Sequence, residues 1–181
     1  MKMKNNIMTG EEVGRSIARI SHEILEKNKC MSDLVIIGIQ RRGVSLANMI
    51  ADNLKKFEGI DVPVGILDIT LYRDDLSLLA EHPVIKGTEI NFPIAGKNII
   101  LVDDVLYTGR TVYAALTAIK DFGRPKSIQL AVLVDRGHRE MPIRPDYVGK
   151  NIPTSSNEVV HVNVTDFDGE DSVNIYLKDE E

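Results

Sequence analysis

A buried strand that leads into two acids, a short turn and a helix is the most constraining stretch of the sequence. It spans residues 99–111, Ile-Ile-Leu-Val-Asp-Asp-Val-Leu-Tyr-Thr-Gly-Arg-Thr. Four consecutive apolar residues bounded by polar ones are typical of a strand that is covered on both faces, as in a parallel sheet. We therefore predict an α/β fold in which this strand ends at residue 102 and delivers Asp103 and Asp104 to the ligand-binding edge of the sheet.

The turn after the two acids has the composition of an anion site. Thr108 and Thr111 supply hydroxyl groups, Gly109 allows a ligand to approach the backbone, and the helix predicted to begin here leaves N–H groups free. Asp103 and Asp104 cannot bind the same anion, so they need a hydroxyl-rich or metal-bearing partner, such as a ribose with Mg²⁺. The stretch predicts a sugar-phosphate site, although two acids before a capped helix are by themselves also typical of a solvated strand end.

Residues 102–111 resemble the phosphoribosyl-pyrophosphate (PRPP) motif of type I phosphoribosyltransferases. Together with residues 68–75 and 129–140, they are similar to one branch of that superfamily, the bifunctional pyrimidine operon attenuation regulators and uracil phosphoribosyltransferases. The similarity covers nearly the whole chain, and residues 134–155 narrow it to this branch. It implies an α/β fold of the type I phosphoribosyltransferase kind, with a central, mostly parallel sheet flanked by helices, a small hood and an antiparallel edge.

A single domain over residues 1–181 is expected, because this length is near the common size of one domain. Residues 73–91 are predicted to form a flexible lid loop, and residues 135–157 an irregular basic hood segment. Hydrophobic periodicity predicts a helix of about 20 residues after a capping box at Thr9 and Glu12, and another after Gly43. Further strands are predicted at 34–39, 62–72, 127–134, 159–164 and 172–177, and the helix from residue 108, with residues 112, 115, 116, 119 and 122 inward, is predicted to end at Gly123.

The resemblance assigns the PRPP contacts residue by residue. Residues 40–43, Gln-Arg-Arg-Gly, correspond to the pyrophosphate loop, although the Gln-Arg pair differs from the residues usual there. Mg²⁺ carried by PRPP is expected near Asp103 and Asp104 rather than on a dedicated protein site. The predicted catalytic residues are Asp103, Asp104 and Arg42, and the predicted PRPP or UMP contacts are Arg41, Arg42, Arg73, Asp103, Asp104, Val105, Leu106, Tyr107, Thr108, Gly109, Arg110 and Thr111.

A pocket for uracil is predicted beside the PRPP site. Tyr107 occupies the place where purine-using relatives often carry an acid, so the sequence identifies no general base for the N1 proton of uracil. The predicted walls of this pocket are Val134, Asp135, Arg136, Gly137 and Val160.

The net charge of −5 does not exclude an RNA partner, because the charged residues are unevenly distributed along the chain. Residues 157–181 hold eight acids against one lysine, a net −7, so the other 156 residues total +2. A local basic patch matters more for RNA than the total charge.

Ala18 replaces a hydroxyl residue common in the family, and the basic stripe on the first helix is by itself also typical of a solvated face. The resemblance implies RNA contacts from Arg15, Arg19, His22, Arg139, Arg144 and Lys150.

Other features of the sequence indicate the cellular setting. The single cysteine, Cys30, excludes an intrachain disulfide, and no apolar run approaches the roughly 20 residues of a membrane span. The first residues also lack the apolar core of a signal peptide. We therefore expect a cytoplasmic protein.

The expected function is twofold. The enzyme makes UMP and pyrophosphate from uracil and PRPP, and the regulator, with UMP or UTP bound, binds the leader mRNA of a pyrimidine operon and attenuates its transcription. The family implies a homodimer or a higher homo-oligomer. Two alternatives are a non-enzymatic RNA-binding regulator that uses the PRPP fold as a nucleotide sensor, and a phosphoribosyltransferase of different base specificity. The intact acids and pyrophosphate loop favour catalysis, since sensing UMP requires no diphosphate site.

Overall fold

The structure is a computed structural model that describes residues 1–74 and 87–179. Strands and helices alternate through most of the chain, as the α/β prediction requires. The elements are β1 (Lys2–Met8), α1 (Gly10–Lys27), β2 (Leu34–Ile39), α2 (Arg42–Glu58), β3 (Val64–Leu67), β4 (Asn98–Leu106), α3 (Arg110–Ile119), β5 (Ser127–Asp135), β6 (Tyr147–Asn151), β7 (Glu158–Asn163), α4 (Thr165–Asp168) and β8 (Ser172–Leu177).

The central sheet has five parallel strands in the order β3-β2-β4-β5-β6. Alternate residues of β4 point to opposite faces, so Ile100 and Val102 join the core under α1 and α2, whereas Ile99 and Leu101 join the core under α3. Because all five strands run in the same direction, their carboxyl ends meet at one edge of the sheet.

A second sheet is antiparallel and has the strand order β1-β8-β7. Its apolar residues, including Val162 and Val173, pack with Ile17 and Ile20 of α1 in the same core that covers one face of the central sheet. The two sheets therefore share buried apolar surface.

Several predicted elements are confirmed. The strand at 34–39 has the predicted bounds, and α1 begins with the capping box of Thr9 and Glu12, each of which bonds the other's backbone N–H. The helix after the turn ends in a 3-10 turn at Lys120–Phe122 before Gly123. Phe122 was predicted to face inward, but it is 40% exposed because the tighter turn rotates it off the buried face.

Other boundaries were wrong. β4 does not end before the acids but continues to Leu106, because β5 pairs with it as far as Asp135. The strand predicted at 62–72 covers only Val64–Leu67, since the Asp68 carboxylate accepts the backbone N–H of Thr70 at 2.9 Å and turns the chain into a 3-10 turn. Neither β1 nor β6 was predicted from the sequence, and β6 lies inside the segment predicted to be irregular.

The predicted lid falls mainly on residues 75–86, which lie outside the described residues. Beyond them, the backbones of Glu89 and Ile66 bond each other at 2.8 and 2.9 Å, so the chain returns along β3. Among residues 1–74 and 87–179, no helix has the length and apolar character that crossing a membrane requires.

Candidate active site at the carboxyl edge of the sheet

Asp103 and Asp104 lie next to each other near the carboxyl end of β4. Asp103 is only 6% exposed, and its carboxylate accepts the backbone N–H of Asp104 at 2.9 Å. The Asp104 carboxylate in turn accepts the N–H of Val105 at 2.7 Å. Burial raises the pKa of Asp103 well above its ordinary value, and the negative charge of Asp104 raises it further. A buried acid with a second carboxylate beside it is typical of a site that binds a cationic or hydroxyl-bearing ligand.

A cavity of about 290 Å³ opens beside these acids. The ends of β2, β3 and β4 surround it, so residues far apart in sequence meet there. The structure thus brings the two acids together with three predicted phosphate-binding arginines. The cavity is lined by Ile39, Gln40, Arg41, Arg42, Asp68, Ile69, Thr70, Arg73, Asp103, Asp104, Val105 and Thr111.

The start of α2 is held close to β4, which places the loop arginines beside the acids. A Cβ atom at Gly43 would lie 2.5 Å from the carbonyl oxygen of Val102, so no larger residue fits there without displacing the backbone. The Gln40–Arg41 peptide bond in this loop is cis. The close approach explains why a glycine follows the two arginines.

Both loop arginines contact α4, which the sequence analysis did not associate with the site. Arg42 donates two hydrogen bonds to Asp168, at 3.0 and 2.8 Å, and the guanidinium of Arg41 lies 5.2 Å from the centre of the Phe167 ring. Ser45 donates to Asp166 at 2.6 Å. The bond to Asp168 raises the pKa of Arg42 and lowers that of Asp168. Arg42 thus lines the cavity while it also binds α4, and no local pattern in the sequence signals a pairing over 126 residues.

The turn before α3 has the geometry expected of an anion site. Gly109 caps the helix with φ +90°, a conformation that favours glycine, and Thr108 Oγ1 accepts the backbone N–H of Arg110 at 3.3 Å. The first N–H groups of a helix have no acceptor within the helix and point toward a ligand. The Arg110 side chain bonds Glu140 at 2.6 Å and also Asp74, so its backbone is better placed than its guanidinium to bind an anion.

A second cavity, of about 210 Å³, lies at this turn and is lined by Arg73, Asp74, Thr108, Arg110 and Thr111. It shares Arg73 and Thr111 with the cavity at the acids. The two cavities are therefore neighbours, and together they offer an anion site on one side and paired carboxylates on the other.

Four of the five residues predicted to wall a uracil pocket, Val134 to Gly137, lie at the end of β5 next to the end of β4, and the fifth, Val160, lies in β7. Arg136 is only 6% exposed, because its guanidinium lies 4.0 Å from the Tyr107 ring centre and donates to the Glu158 carbonyl at 2.7 Å. Asp135 accepts the N–H of Gly137 at 3.0 Å. Val134 and Val160 belong to the apolar core beneath these residues. The adjoining cavity, about 470 Å³, is lined by Gly137, His138, Arg139, Met141, Pro142, Ile143 and Arg144.

Two of the predicted RNA-binding residues, Arg19 and Lys150, form a cationic face where α1 packs beside β6. Arg19 donates to the carbonyls of Val148 and Gly149 at 3.0 and 2.6 Å, and Lys150 donates to the Ile7 carbonyl at 3.2 Å. Arg15 pairs with Glu11 at 3.3 Å, His22 stacks on Phe57 with ring centres 4.1 Å apart, Arg139 bonds Asp135 at 2.6 Å, and Arg144 is exposed on the rim of the 470 Å³ cavity.

The donor set suits a magnesium ion that arrives with its ligand. In the part of the chain that the structure describes, no three histidine, cysteine or acidic side chains converge closely enough to hold a metal ion. Asp103 and Asp104 supply hard oxygen donors beside the anion site, and Mg²⁺ is commonly bound by one or two carboxylates together with substrate phosphates.

Comparisons with known proteins find similarity over the whole fold. Residues 3–166 match the model of the phosphoribosyl transferase domain family. The bifunctional protein PyrR of Acetivibrio thermocellus is 65% identical over 172 residues, which cover 95% of this chain and 94% of that protein. The bifunctional protein PyrR of Caldicellulosiruptor bescii is 60% identical over 181 residues, the full length of both. The crystal structure of the Trypanosoma cruzi hypoxanthine phosphoribosyltransferase, at 20% identity, matches 98% of both chains with a TM-score of 0.74, which confirms the fold.

Proposed function

The chain belongs to the phosphoribosyl transferase domain family and, within it, to the bifunctional PyrR proteins, and on this premise we propose that it joins uracil to PRPP and also binds pyrimidine-operon leader RNA in response to uridine nucleotides. The observation that carries the enzymatic half is the meeting of Asp103, Asp104, the loop arginines and the phosphate turn at one edge of the sheet. PRPP carries a 5′-phosphate, a ribose diol and a diphosphate, and each of these groups has a chemically matching partner there.

The site residues act on the charges that develop as pyrophosphate leaves. The anomeric carbon gains positive charge, which Asp103 and Asp104 stabilise while they hold the ribose hydroxyls. The diphosphate gains negative charge, which Arg41 and Arg73 stabilise at the other end of the cavity. Mg²⁺ bound with the diphosphate supplies further neutralisation of the leaving group. The backbone N–H groups at the start of α3 hold the 5′-phosphate and so orient the sugar.

Uracil is placed against the end of β5, where backbone groups of residues 135–137 select a pyrimidine. The stacked pair of Arg136 and Tyr107 forms one side of this place and is held by the Glu158 carbonyl. The new bond joins N1 of uracil to the anomeric carbon, the bond from that carbon to the diphosphate oxygen breaks and leaves its electron pair on pyrophosphate, and the N1 proton is released to water. UMP and pyrophosphate are the products.

The test of the enzymatic half is a product assay with PRPP, Mg²⁺ and four bases: uracil, guanine, hypoxanthine and orotate. We expect UMP and pyrophosphate from uracil alone. Activity with a purine and none with uracil would overturn the assignment. Asp104→Asn should lower turnover by about 100-fold or more, since it removes charge stabilisation at the reacting carbon. Asp61→Asn is the matched control, because the Asp61 side chain is 79% exposed and pairs at the surface with Lys55 at 2.8 Å.

The regulatory half is supported by the cationic face of α1 and β6, and its test is a filter-binding titration with leader RNA. We expect UMP to tighten RNA binding and added salt to weaken it. An RNA affinity that is unaffected by uridine nucleotides would remove this half. Asp104→Asn should bind RNA normally, which separates the two activities, whereas RNA regulation without any turnover would identify a nucleotide sensor.

The proposal also covers the cellular location and the oligomeric state of the protein. We place the protein in the cytoplasm, where its free Cys30 stays reduced, and expect a homodimer or larger homo-oligomer that presents more than one basic face to RNA. Light scattering measured together with size exclusion tests the assembly.

A further inference from the structure

Arg139 bonds the turn before α3 that is proposed to hold the 5′-phosphate, and each of the three nitrogens of its guanidinium already donates to the protein. It donates to the carbonyls of Tyr107 and Ile143 at 2.9 Å each and to the carboxylate of Asp135 at 2.6 Å. Its side chain is only 23% exposed. A guanidinium held in three directions has little capacity left for an RNA phosphate, so its sequence-based assignment as an RNA contact does not suit this geometry.

The residues that follow Arg139 are bonded to the same turn. The backbone N–H groups of Glu140 and Met141 both donate to the carbonyl of Thr108, at 2.8 and 3.0 Å. A Cβ atom at Gly109 would lie 3.1 Å from the Cβ of Met141, so the two segments are in close contact. The turn that receives the phosphate therefore cannot shift without moving residues 139–141.

The far end of this segment leads into the cationic face of α1 and β6. Arg144 is exposed and forms no hydrogen bond or ion pair with the residues that the structure describes. β6 begins three residues later, and its carbonyls at Val148 and Gly149 accept the Arg19 side chain. The segment from Arg139 to β6 thus runs from the turn before α3 to the surface that carries Arg144, Lys150 and Arg19.

We propose that Arg139 is a positioning residue that couples nucleotide occupancy of the phosphate turn to RNA affinity, and that it does not itself contact RNA. The inference rests on the proposed function, because it assumes that a uridine nucleotide changes RNA binding. A bound phosphate fixes the conformation of the turn. Through its hydrogen bonds, Arg139 then restrains the backbone of residues 139–144 and of β6. Without the nucleotide, RNA binding must also order this segment and is weaker.

The decisive variant is Arg139→Lys, because it keeps the positive charge but a lysine ammonium cannot reproduce three hydrogen bonds in fixed, divergent directions. RNA affinity is measured with and without UMP, and the ratio of the two is the coupling, which for ligand pairs of this kind is on the order of 5–150-fold. We expect Arg139→Lys to bring the ratio close to one while RNA affinity without UMP changes by less than about threefold, in line with an intact charge and surface. By reciprocity, RNA should also stop tightening UMP in this variant.

Arg144→Ala is the matched control on the same segment. It removes an exposed cation that has no bonding partner within residues 1–74 and 87–179, so RNA affinity should fall by the same factor with and without UMP, and the salt dependence should lose about one unit of slope. Its coupling ratio should equal that of the unaltered protein. The two variants thus separate a coupling residue from an RNA contact.

Two outcomes overturn the inference: a native coupling ratio in Arg139→Lys, or an equal loss of RNA affinity with and without UMP in Arg139→Ala. If UMP does not change the RNA affinity of the unaltered protein, the regulatory half of the proposed function is wrong. If UMP does change it but Arg139→Lys keeps the native ratio, only the inference about Arg139 is wrong. Amide hydrogen exchange of the unaltered protein is a second measurement that needs no variant. UMP should protect the N–H groups of Glu140, Met141 and the β6 residues, and unchanged protection there contradicts the coupling.

Discussion

At the scale of single residues, Asp103 makes the folded state less stable than it could be. Burial and the charge of Asp104 raise the pKa of this carboxyl, so the folded state favours the protonated acid. The free energy of unfolding therefore falls as pH rises from the ordinary aspartate value near 3.8 toward the higher folded value. The site retains this cost because the ionised carboxylate is needed during the proposed reaction, when positive charge develops on the sugar.

Asp103→Asn is therefore expected to raise the thermal midpoint at pH 7 and to lower turnover. The amide oxygen can still accept the N–H of Asp104, and each kcal/mol gained raises the midpoint of a domain of this size by about 2–4 °C. Melting curves at pH 7 and pH 3 measure the effect, and the gain should shrink at pH 3, where both states are protonated. A lower midpoint at pH 7 would contradict the argument, and Asp61→Asn should leave both midpoint and turnover unchanged.

Gly109 provides a second prediction at this scale. Gly109→Ala forces a side chain to φ +90° and against Met141, so we expect a loss of about 1–2 kcal/mol of stability, together with weaker PRPP binding. Gly14→Ala is the control, because a Cβ atom at Gly14 meets nothing within 4 Å inside α1, and a gain of roughly 0.5–1 kcal/mol is expected there. Urea unfolding gives both values, and a PRPP titration gives the binding change. Equal effects of the two substitutions would show that backbone conformation does not matter at the turn.

At the scale of elements, a salt bridge fastens β1 to β7 across the strand that separates them. Lys4 donates to Glu158 at 2.5 Å, and this bond and the backbone N–H of Ser155 lower the pKa of Glu158 from 4.5 to about 2. A lowered acid pKa contributes stability above the unfolded value, and that contribution is lost as pH falls through the folded value.

We therefore expect Glu158→Gln to lower the thermal midpoint above about pH 4.5 and to have progressively less effect as the pH falls toward 2. Thermal melts from pH 2 to pH 7 measure the difference between the variant and the unaltered protein. Glu11→Gln is the control, since its partner Arg15 is on the same helix and both side chains are largely exposed. A difference that is constant over the whole pH range would show that the charge of Glu158 does not fasten the strands.

The elements also show which parts of the structure the sequence could predict. β2, α1 and the turn before α3 were predictable because each has a local signal: an unbroken apolar run, a capping box, or acids followed by Thr-Gly. β1 and β6 have no such signal, since β1 is mostly exposed and β6 takes its order from pairing with β5. The contact of α4 with the loop arginines depends on tertiary packing alone, and the role of Arg139 likewise became visible only through its three partners.

At the scale of the whole molecule, the two sheets are expected to unfold together. The helix α1 lies between them, and its Ile17 and Ile20 pack with Val162 and Val173 of the small sheet and with Ile36 and Ile100 of the large one. Neither sheet can lose this shared core without exposing apolar surface of the other. The single domain predicted from the length of the chain therefore implies one cooperative transition.

Val162→Ala tests this expectation, because Val162 is only 2% exposed and its methyl groups fill the shared core. We expect a loss of about 1–3 kcal/mol from the lost burial and the cavity left behind. The loss should lower the midpoint of a single transition, with circular dichroism and calorimetry in agreement. Val159→Ala is the control on the same strand, since Val159 is partly exposed and lies outside the shared core, and its effect should be smaller. If Val162→Ala instead produced two transitions, with the small sheet melting first, the sheets would be separate cooperative units, and the small sheet could unfold without the rest of the protein.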